Sequence, residues 1–332
     1  MAMIVCATPT DFVVWAPGVS TDLLGTQSGA ALIQISDAQT HTASGEILAT
    51  SMVQSSQTAR VTLLNVVVNY LQDNHEVLPR DAVYSPGRTQ TETTDSLRQE
   101  IESSREQAIA SGVRQAGIEV VEHPRLLAVR QNGPSFNILF PGDFILAIDN
   151  VPMSTPGDML QYIRGQKAVG DQVVVTVLRP GTAEPQAVTI PSLAGTSTNG
   201  TIPTLGTTPE TGYLYSPGIS FTMDVDQGDP SQGLALALAT FDLLTEDDDT
   251  AGQTVAAAGA ISFAGDVSRV PGINEHATSA MDAHATLFLI AQDNCADLTA
   301  DFPGMDIVPV ATLNDAVGAV RNHSSGAPLP HC

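Results

Sequence analysis

The segment Gly228-Asp229-Pro230-Ser231-Gln232-Gly233 sets a hydroxyl at a glycine-bounded turn just ahead of an apolar run, Gly233–Leu244. A serine at a strand-to-helix turn lies beside backbone N–H groups at a helix N-terminus. Those groups stabilise a developing oxyanion, so acyl transfer is the chemistry this spacing suits. Ser231 also suits an N-cap, a role serine often fills. A nucleophile needs a base. The chain holds a single lysine, Lys167, which precedes Gly170 and reads as a solvated charge. His276 is the candidate base near neutral pH, with Asp229 or Asp266 to orient its ring. The competing reading makes His276 an ordinary histidine of a helix's first turn. His284 shares a helix face with His276, but no third ligand has recognisable spacing, so no metal is expected. Glu246–Asp249 lacks the alternating ligands of a calcium loop and reads as a solvated helix end.

The 332 residues carry 36 acidic and 13 basic side chains, a net charge of −23. Such a surface repels phosphate backbones and excludes nucleic acid as a partner. A hydrophobic content of 42% supplies sizeable cores and argues against global disorder. The length suggests about two domains. No apolar run approaches the roughly 20 residues of a spanning helix. Cys6, Cys295 and Cys332 have neither metal-ligand spacing nor the look of a disulfide framework.

The elements that must position these groups follow from periodicity. The first ninety residues read as β structure, with strands at Phe12–Trp15, Ala31–Ile35 and the β-branched run Val61–Val68. Apolar residues at three- and four-residue spacing predict a helix over Asp95–Ala116, ending near Gly117. Strands are expected at Leu126–Val129, Phe144–Ile148 and Val173–Leu178, with a helix over Thr155–Arg164 capped by Thr155 and begun by Pro156. Ser192–Gly212 reads as a loop or linker. Beyond Tyr213 the pattern gives strand Ile219–Val225, a turn at Asp226–Pro230, helix Gly233–Leu244, strand Ala256–Phe263, helix Asn274–Ala285 and buried strand Leu287–Ile290.

Asp229-Pro230-Ser231-Gln232-Gly233 before a helix resembles the nucleophile motif of Lon-type peptidases, Gly-Pro-Ser-Ala-Gly. Gly259–Val267 resembles that family's strand-turn-strand, and Val270-Pro271-Gly272-Ile273-Asn274-Glu275-His276 falls where it has Ile-Gly-Gly-Leu and its catalytic lysine. Phe288–Gln292, Asn294-Cys295 and Val308–Val310 with Leu313 extend the likeness over about residues 213–320. Pro141–Asn150, with Leu127–Val129 and Asn132–Ser135, resembles a PDZ domain. Val14–Gly18, Asp22–Gly25 and Glu102–Gln107 resemble the start of membrane-anchored bacterial proteins that join the two domains. The resemblance implies an α/β (α+β) chain. Residues 1–10 would be an anchor remnant, 11–116 the first part of the Lon-like fold, 117–192 a PDZ-like domain, 193–212 a linker, 213–320 the proteolytic domain and 321–332 a tail. Alternatively, the start is a soluble first strand.

The resemblance implies a serine endopeptidase that needs no ATP, since no Walker sequence is present, and no other cofactor. Ser231 would be the nucleophile, with Gly228, Asp229, Pro230, Gln232 and Gly233 shaping the oxyanion turn. Substrates would be peptides or unfolded proteins outside the cytoplasm at the cell membrane, and ring-forming relatives imply a homo-oligomer. His276 stands in the lysine's place, Ala258-Gly259-Ala260 lacks the family's Thr, and Asp229 and Gln232 replace Gly and Ala. These departures leave open a pseudo-peptidase that binds polypeptides as a scaffold or regulator. In the PDZ part, a ligand's carboxylate would meet Gly117, Ile118 and Val120, although Glu119 opposes an anion; a purely structural insert is the alternative.

Overall fold

The computed structural model describes residues 8–332 apart from 28, 73, 86, 198–199 and 225–227. The anchor reading of Met1–Ala7, Cys6, and Asp226-Gln227 of the expected turn lie outside the described residues. The chain divides into two compact units, residues 1–119 with 216–332, and Val120–Tyr215. The helices are α1 (Leu63–Tyr70), α2 (Arg80–Val83), α3 (Gln90–Gln115), α4 (Pro156–Gln166), α5 (Gly233–Leu244), α6 (Ile273–Asp282) and α7 (Leu313–Ser325).

The first unit is built on a five-stranded sheet in the order Thr21–Asp22, Glu46–Ala49, Thr254–Ala258, Leu287–Ala291, Asp306–Val310. The last four strands run parallel. Parallel strands covered on both faces read as unbroken apolar runs, and Leu287–Ala291 is buried at every position. On one face, Ala277 and Ala280 of α6 join Leu48, Phe288 and Ile290 in a continuous core. A second sheet orders Met52–Gln54, Phe12–Pro17 and Glu76–Pro79, and Gly218–Phe221 pairs with Ile33–Ser36.

Val61–Val68 is not a strand. Thr62 accepts the Asn65 N–H at 3.4 Å and starts α1, none of whose residues is buried. Strand propensity expresses packing on a half-buried pleated face, and here no such face is offered, so the local cap decides. Helix α3 starts before Asp95 because Thr89 and Glu92 form a reciprocal capping box. It ends at Gln115, followed by Gly117 in a left-handed conformation at φ +79°.

Helix α3 packs along α5 at Gly112. A Cβ there would sit 2.5 Å from the Ala237 carbonyl oxygen and 2.8 Å from Thr240 Cβ. Alanine would gain roughly 1 kcal/mol of helix propensity. The clash is with backbone, however, so the two helices must move apart. Gly112→Ala is therefore expected to destabilise the protein by about 1–3 kcal/mol, read as a lower urea midpoint; an unchanged midpoint would show that the crossing has slack.

The second unit carries a sheet in the order Gln186–Pro191, Gln172–Leu178, Phe144–Ile148, Val121–Val129, Thr207–Leu214. Val151–Pro152 returns on Phe144–Ile148 through Asp149-Asn150, both at positive φ, the requirement of a tight two-residue hairpin. Helix α4 begins at Pro156 under a Thr155–Asp158 capping box and sets Met159 and Ile163 into the core with Leu126, Ile145 and Val175. Residues 193–212, expected as a linker, carry strands instead. Leu193–Ser197 and Gly200–Thr204 form a hairpin, and Thr207–Leu214 joins the main sheet. Alternating Thr and Pro hide its periodicity, and cross-strand pairing supplies the order that propensity does not.

Candidate functional site

Three side chains converge at the carboxyl ends of the parallel strands, where open α/β sheets place their crevices. Thr50 follows Glu46–Ala49. Ser231 sits in a 3₁₀ turn, Pro230–Gln232, that leads into α5. His276 lies in the first turn of α6. The Ser231 turn is fastened to the end of the central strand by two bonds: the Gly259 N–H donates to Ser231 O at 2.8 Å and the Leu234 N–H to Gly259 O at 2.9 Å. Ser104 of α3 donates to Pro230 O at 3.0 Å.

His276 Nε2 is 3.2 Å from Ser231 Oγ, and its Nδ1 is 2.9 Å from Thr50 Oγ1. The Thr50 hydroxyl also points at Ala257 O, 3.3 Å away. Neither expected carboxylate orients the ring. Asp266 binds Ser262, and Asp229 turns toward the backbone of its own turn. The reach is short because the ring enters the core directly from the first turn of α6. Ser231 is 2% exposed, and His276 and Thr50 are fully buried. Burial pushes the His276 pKa below the usual range, and the charge of Asp229 opposes this. The imidazole is thus neutral at pH 7.

Three of the amides near the serine are engaged. Asp229 Oδ1 accepts the Ser231 N–H at 2.9 Å, Asp229 O accepts the Gln232 N–H at 3.0 Å, and Gly259 O holds the Leu234 N–H. Gln232 Oε1 in turn accepts the Asp229 N–H at 3.3 Å, which closes a capping box. Asp229, rather than Ser231, is thus the cap of this turn. Gly228 leads into this turn, Pro230 is its first residue, and Gly233 opens α5, where a Cβ would press on Ser104 and Ile261.

In the second unit, Lys167 is not a free solvated charge. Its Nζ lies 2.6 Å from Asp149 Oδ2, which raises its pKa. Gly117 and Ile118 do not form an anion-capturing loop: their amides donate to Arg114 O and Val113 O and close α3. Val120 begins the second unit. Strand Val121–Val129 has a neighbour on each side. Thr207–Leu214 lies antiparallel along it, from Thr207 opposite Val129 to Leu214 opposite Val121, and Arg125 pairs with Glu210 at 2.6 Å across the strands. Leu205, 1% exposed, packs with Met159 and Ile163 of α4. The chain's own segment therefore lies along the strand and against the helix.

Asp249, expected as a solvated helix end, is buried and paired with Arg321 at 2.7 Å. His284 is exposed, and no cluster of three His, Cys, Asp or Glu side chains among the described residues could hold a metal ion. Cys295 and Cys332 form a disulfide, which their wide spacing did not suggest. No helix among the described residues is long and apolar enough to cross a membrane. Thr50, Ser104 and the strand Thr207–Leu214 carry no sequence signal, because each acts only through a partner distant in the chain.

Residues 109–190 match the family model of the PDZ domain. Among solved structures, the chain is similar to the PDZ domain of an SdrC-like protein from Listeria monocytogenes, at 24% identity over 26% of this chain and 86% of that chain, with a TM-score of 0.24. The corresponding Listeria innocua domain matches at 24% identity over 29% and 96%, with a TM-score of 0.23. A Geobacillus thermodenitrificans solution structure matches at 28% identity over 24% and 88%, with a TM-score of 0.21. No curated protein matches the chain. The chain thus contains a PDZ domain within a mixed α/β architecture, and PDZ domains bind peptides by strand addition.

Proposed function

We propose that this PDZ-bearing chain holds polypeptides rather than cutting them, its first unit being a Lon-like peptidase fold silenced at the serine. The supporting observation is the capping box of Asp229 and Gln232, the two residues that replace the family's Gly and Ala. An acyl-transfer site needs donors aimed at the developing oxyanion, and losing one such donor costs about 3–4 kcal/mol of barrier. Here the serine's own N–H is bound by a carboxylate, whose charge also repels an oxyanion. Ser231 is moreover only 2% exposed. The Cys295–Cys332 disulfide supports an oxidising compartment, in keeping with a place outside the cytoplasm.

A fluorophosphonate probe is expected to leave wild-type Ser231 unlabelled, and casein is expected to stay intact from pH 5 to 9. Labelling that disappears in Ser231→Ala would overturn the silent reading.

That outcome would establish the second reading, a Ser–His endopeptidase that needs no ATP, which the distances of 3.2 and 2.9 Å favour. If the Thr50 hydroxyl donates to Ala257 O, it accepts from Nδ1–H, and the Nε2 lone pair then faces the Ser231 hydroxyl. This is the tautomer a general base needs. Because burial lowers the His276 pKa, such activity would persist below the usual histidine range and fall only as pH drops through the depressed value.

A further inference from the structure

The first unit has a cavity of about 820 Å³ beside the first turn of α6. One wall is the strand Glu76–Pro79 with Trp15 beside it; the other is residues 269–275 and 296–300. Four charged side chains line it. Arg269 and Asp297 are already joined, with Nε and Nη2 at 2.7 and 2.6 Å from the two carboxylate oxygens. Glu76 and Glu275 remain, and neither has a cationic partner among the described residues. His75 also lines the cavity, and its Nδ1 is 2.7 Å from Asn69 Oδ1.

Glu275 is unusual, being 2% exposed. A buried carboxyl group without a cation is costly to ionise. Accordingly, burial first and the charge of Glu76 second push its pKa up, while its own backbone N–H opposes this. The cavity wall therefore holds an acidic group poised for a positive partner.

Glu76 and Leu78, two residues apart on the strand Glu76–Pro79, and Trp15, opposite Glu76 on Phe12–Pro17, all line the cavity, so it lies over one face of this sheet. The volume exceeds the needs of one side chain and lies in the range of sites that enclose a substantial ligand.

Resting on the polypeptide-binding reading above, we infer that this cavity takes a polypeptide segment laid over that face, with a lysine or arginine side chain reaching Glu275 and Glu76. The two carboxylates select the basic residue. Arg269 closes the far rim through Asp297.

The chain has one tryptophan, Trp15, and it lines this cavity, so its emission reports occupancy. The full chain would be titrated with three probes: a short extended peptide carrying one central arginine, the same peptide with citrulline in its place, and arginine amide alone. The arginine peptide is expected to shift the emission and bind about tenfold more tightly than the citrulline peptide. Glu275→Gln is expected to remove that advantage and leave citrulline-peptide binding unchanged. Glu76→Gln, at an exposed strand position, should weaken the arginine peptide in the same direction, and it serves if Glu275→Gln fails to fold. Equal binding of the two peptides, or wild-type discrimination in both variants, would overturn the inference and leave the polypeptide-binding reading standing. Arginine amide binding as tightly as the peptide would overturn the polypeptide part. A protein that binds no peptide at all would sink both.

Discussion

An Asp242→Asn variant is expected to melt several degrees above the wild type at pH 8 and within a degree or two of it at pH 4. Asp242 lies on α5 and is 3% exposed, with an Oδ1 that has no partner; Asp249 Oδ2 beside it also has none. Burial raises the Asp242 pKa to about 7, the charges of Asp249 and Asp248 add to the rise, and the Asp249 N–H opposes it. In the unfolded chain the same group releases its proton near 3.8. The folded state therefore holds a proton that the unfolded state has lost between these values. Stability from this group is fully present at acid pH, falls as pH rises through that window, and is lost above about 7, a change of about 4 kcal/mol. Asparagine cannot ionise and still offers an oxygen to the Asp249 N–H, so it removes the penalty without creating a cavity. Thermal unfolding of both proteins from pH 4 to 9 checks this. Parallel curves across that range would show that Asp242 is not the group responsible.

Reduction of the Cys295–Cys332 bond should lower stability by about 3–4 kcal/mol, the loop-closure contribution for a separation of 37 residues. The bond ties the segment after α7 to the turn Gln292–Asp297. That turn is also held by Asn294, whose side chain accepts the Val270 N–H at 3.0 Å and donates to Val270 O at 2.8 Å. Loosening it reaches the cavity wall formed by Val270 and Asp297. Calorimetry with and without a thiol reductant, on wild type and Cys332→Ser, separates the effect of the bond from that of the reductant. The wild type should fall to the level of the variant on reduction, and the variant should be insensitive. A wild-type transition that ignores the reductant would mean that the bond adds nothing.

Much of the architecture could be read from the chain alone. Gly233–Leu244, Phe144–Ile148 and the Thr155-Pro156 helix start fall where the sequence places them, because each rests on local rules: an unbroken apolar helix, a short β-rich run before a turn, a cap with proline behind it. The PDZ region was legible for the same reason, through Pro141-Gly142-Asp143 and the strand that follows. The Ser231 turn before α5 was also visible, and the partnership with His276 was expected from the resemblance.

Other features depended on partners far away in sequence. Thr50 orients His276 across 226 residues of chain, so no local pattern marks it. Asp229 was expected to serve the histidine and instead caps its own turn, because the 3₁₀ geometry brings the Ser231 N–H within 2.9 Å of its carboxylate. Thr207–Gly212 reads as linker because its composition is that of a loop; pairing of Thr207–Leu214 with Val121–Val129 makes it a strand. Val61–Val68 had strand composition without a face to bury, and the Thr62 cap turned it into α1. Sequence thus determined the elements and the residues with chemical potential, since those follow from neighbours along the chain. The tertiary structure decided which groups meet, how deeply they are buried and which amides are already engaged, since burial and long-range hydrogen bonds exist only once the chain has closed on itself.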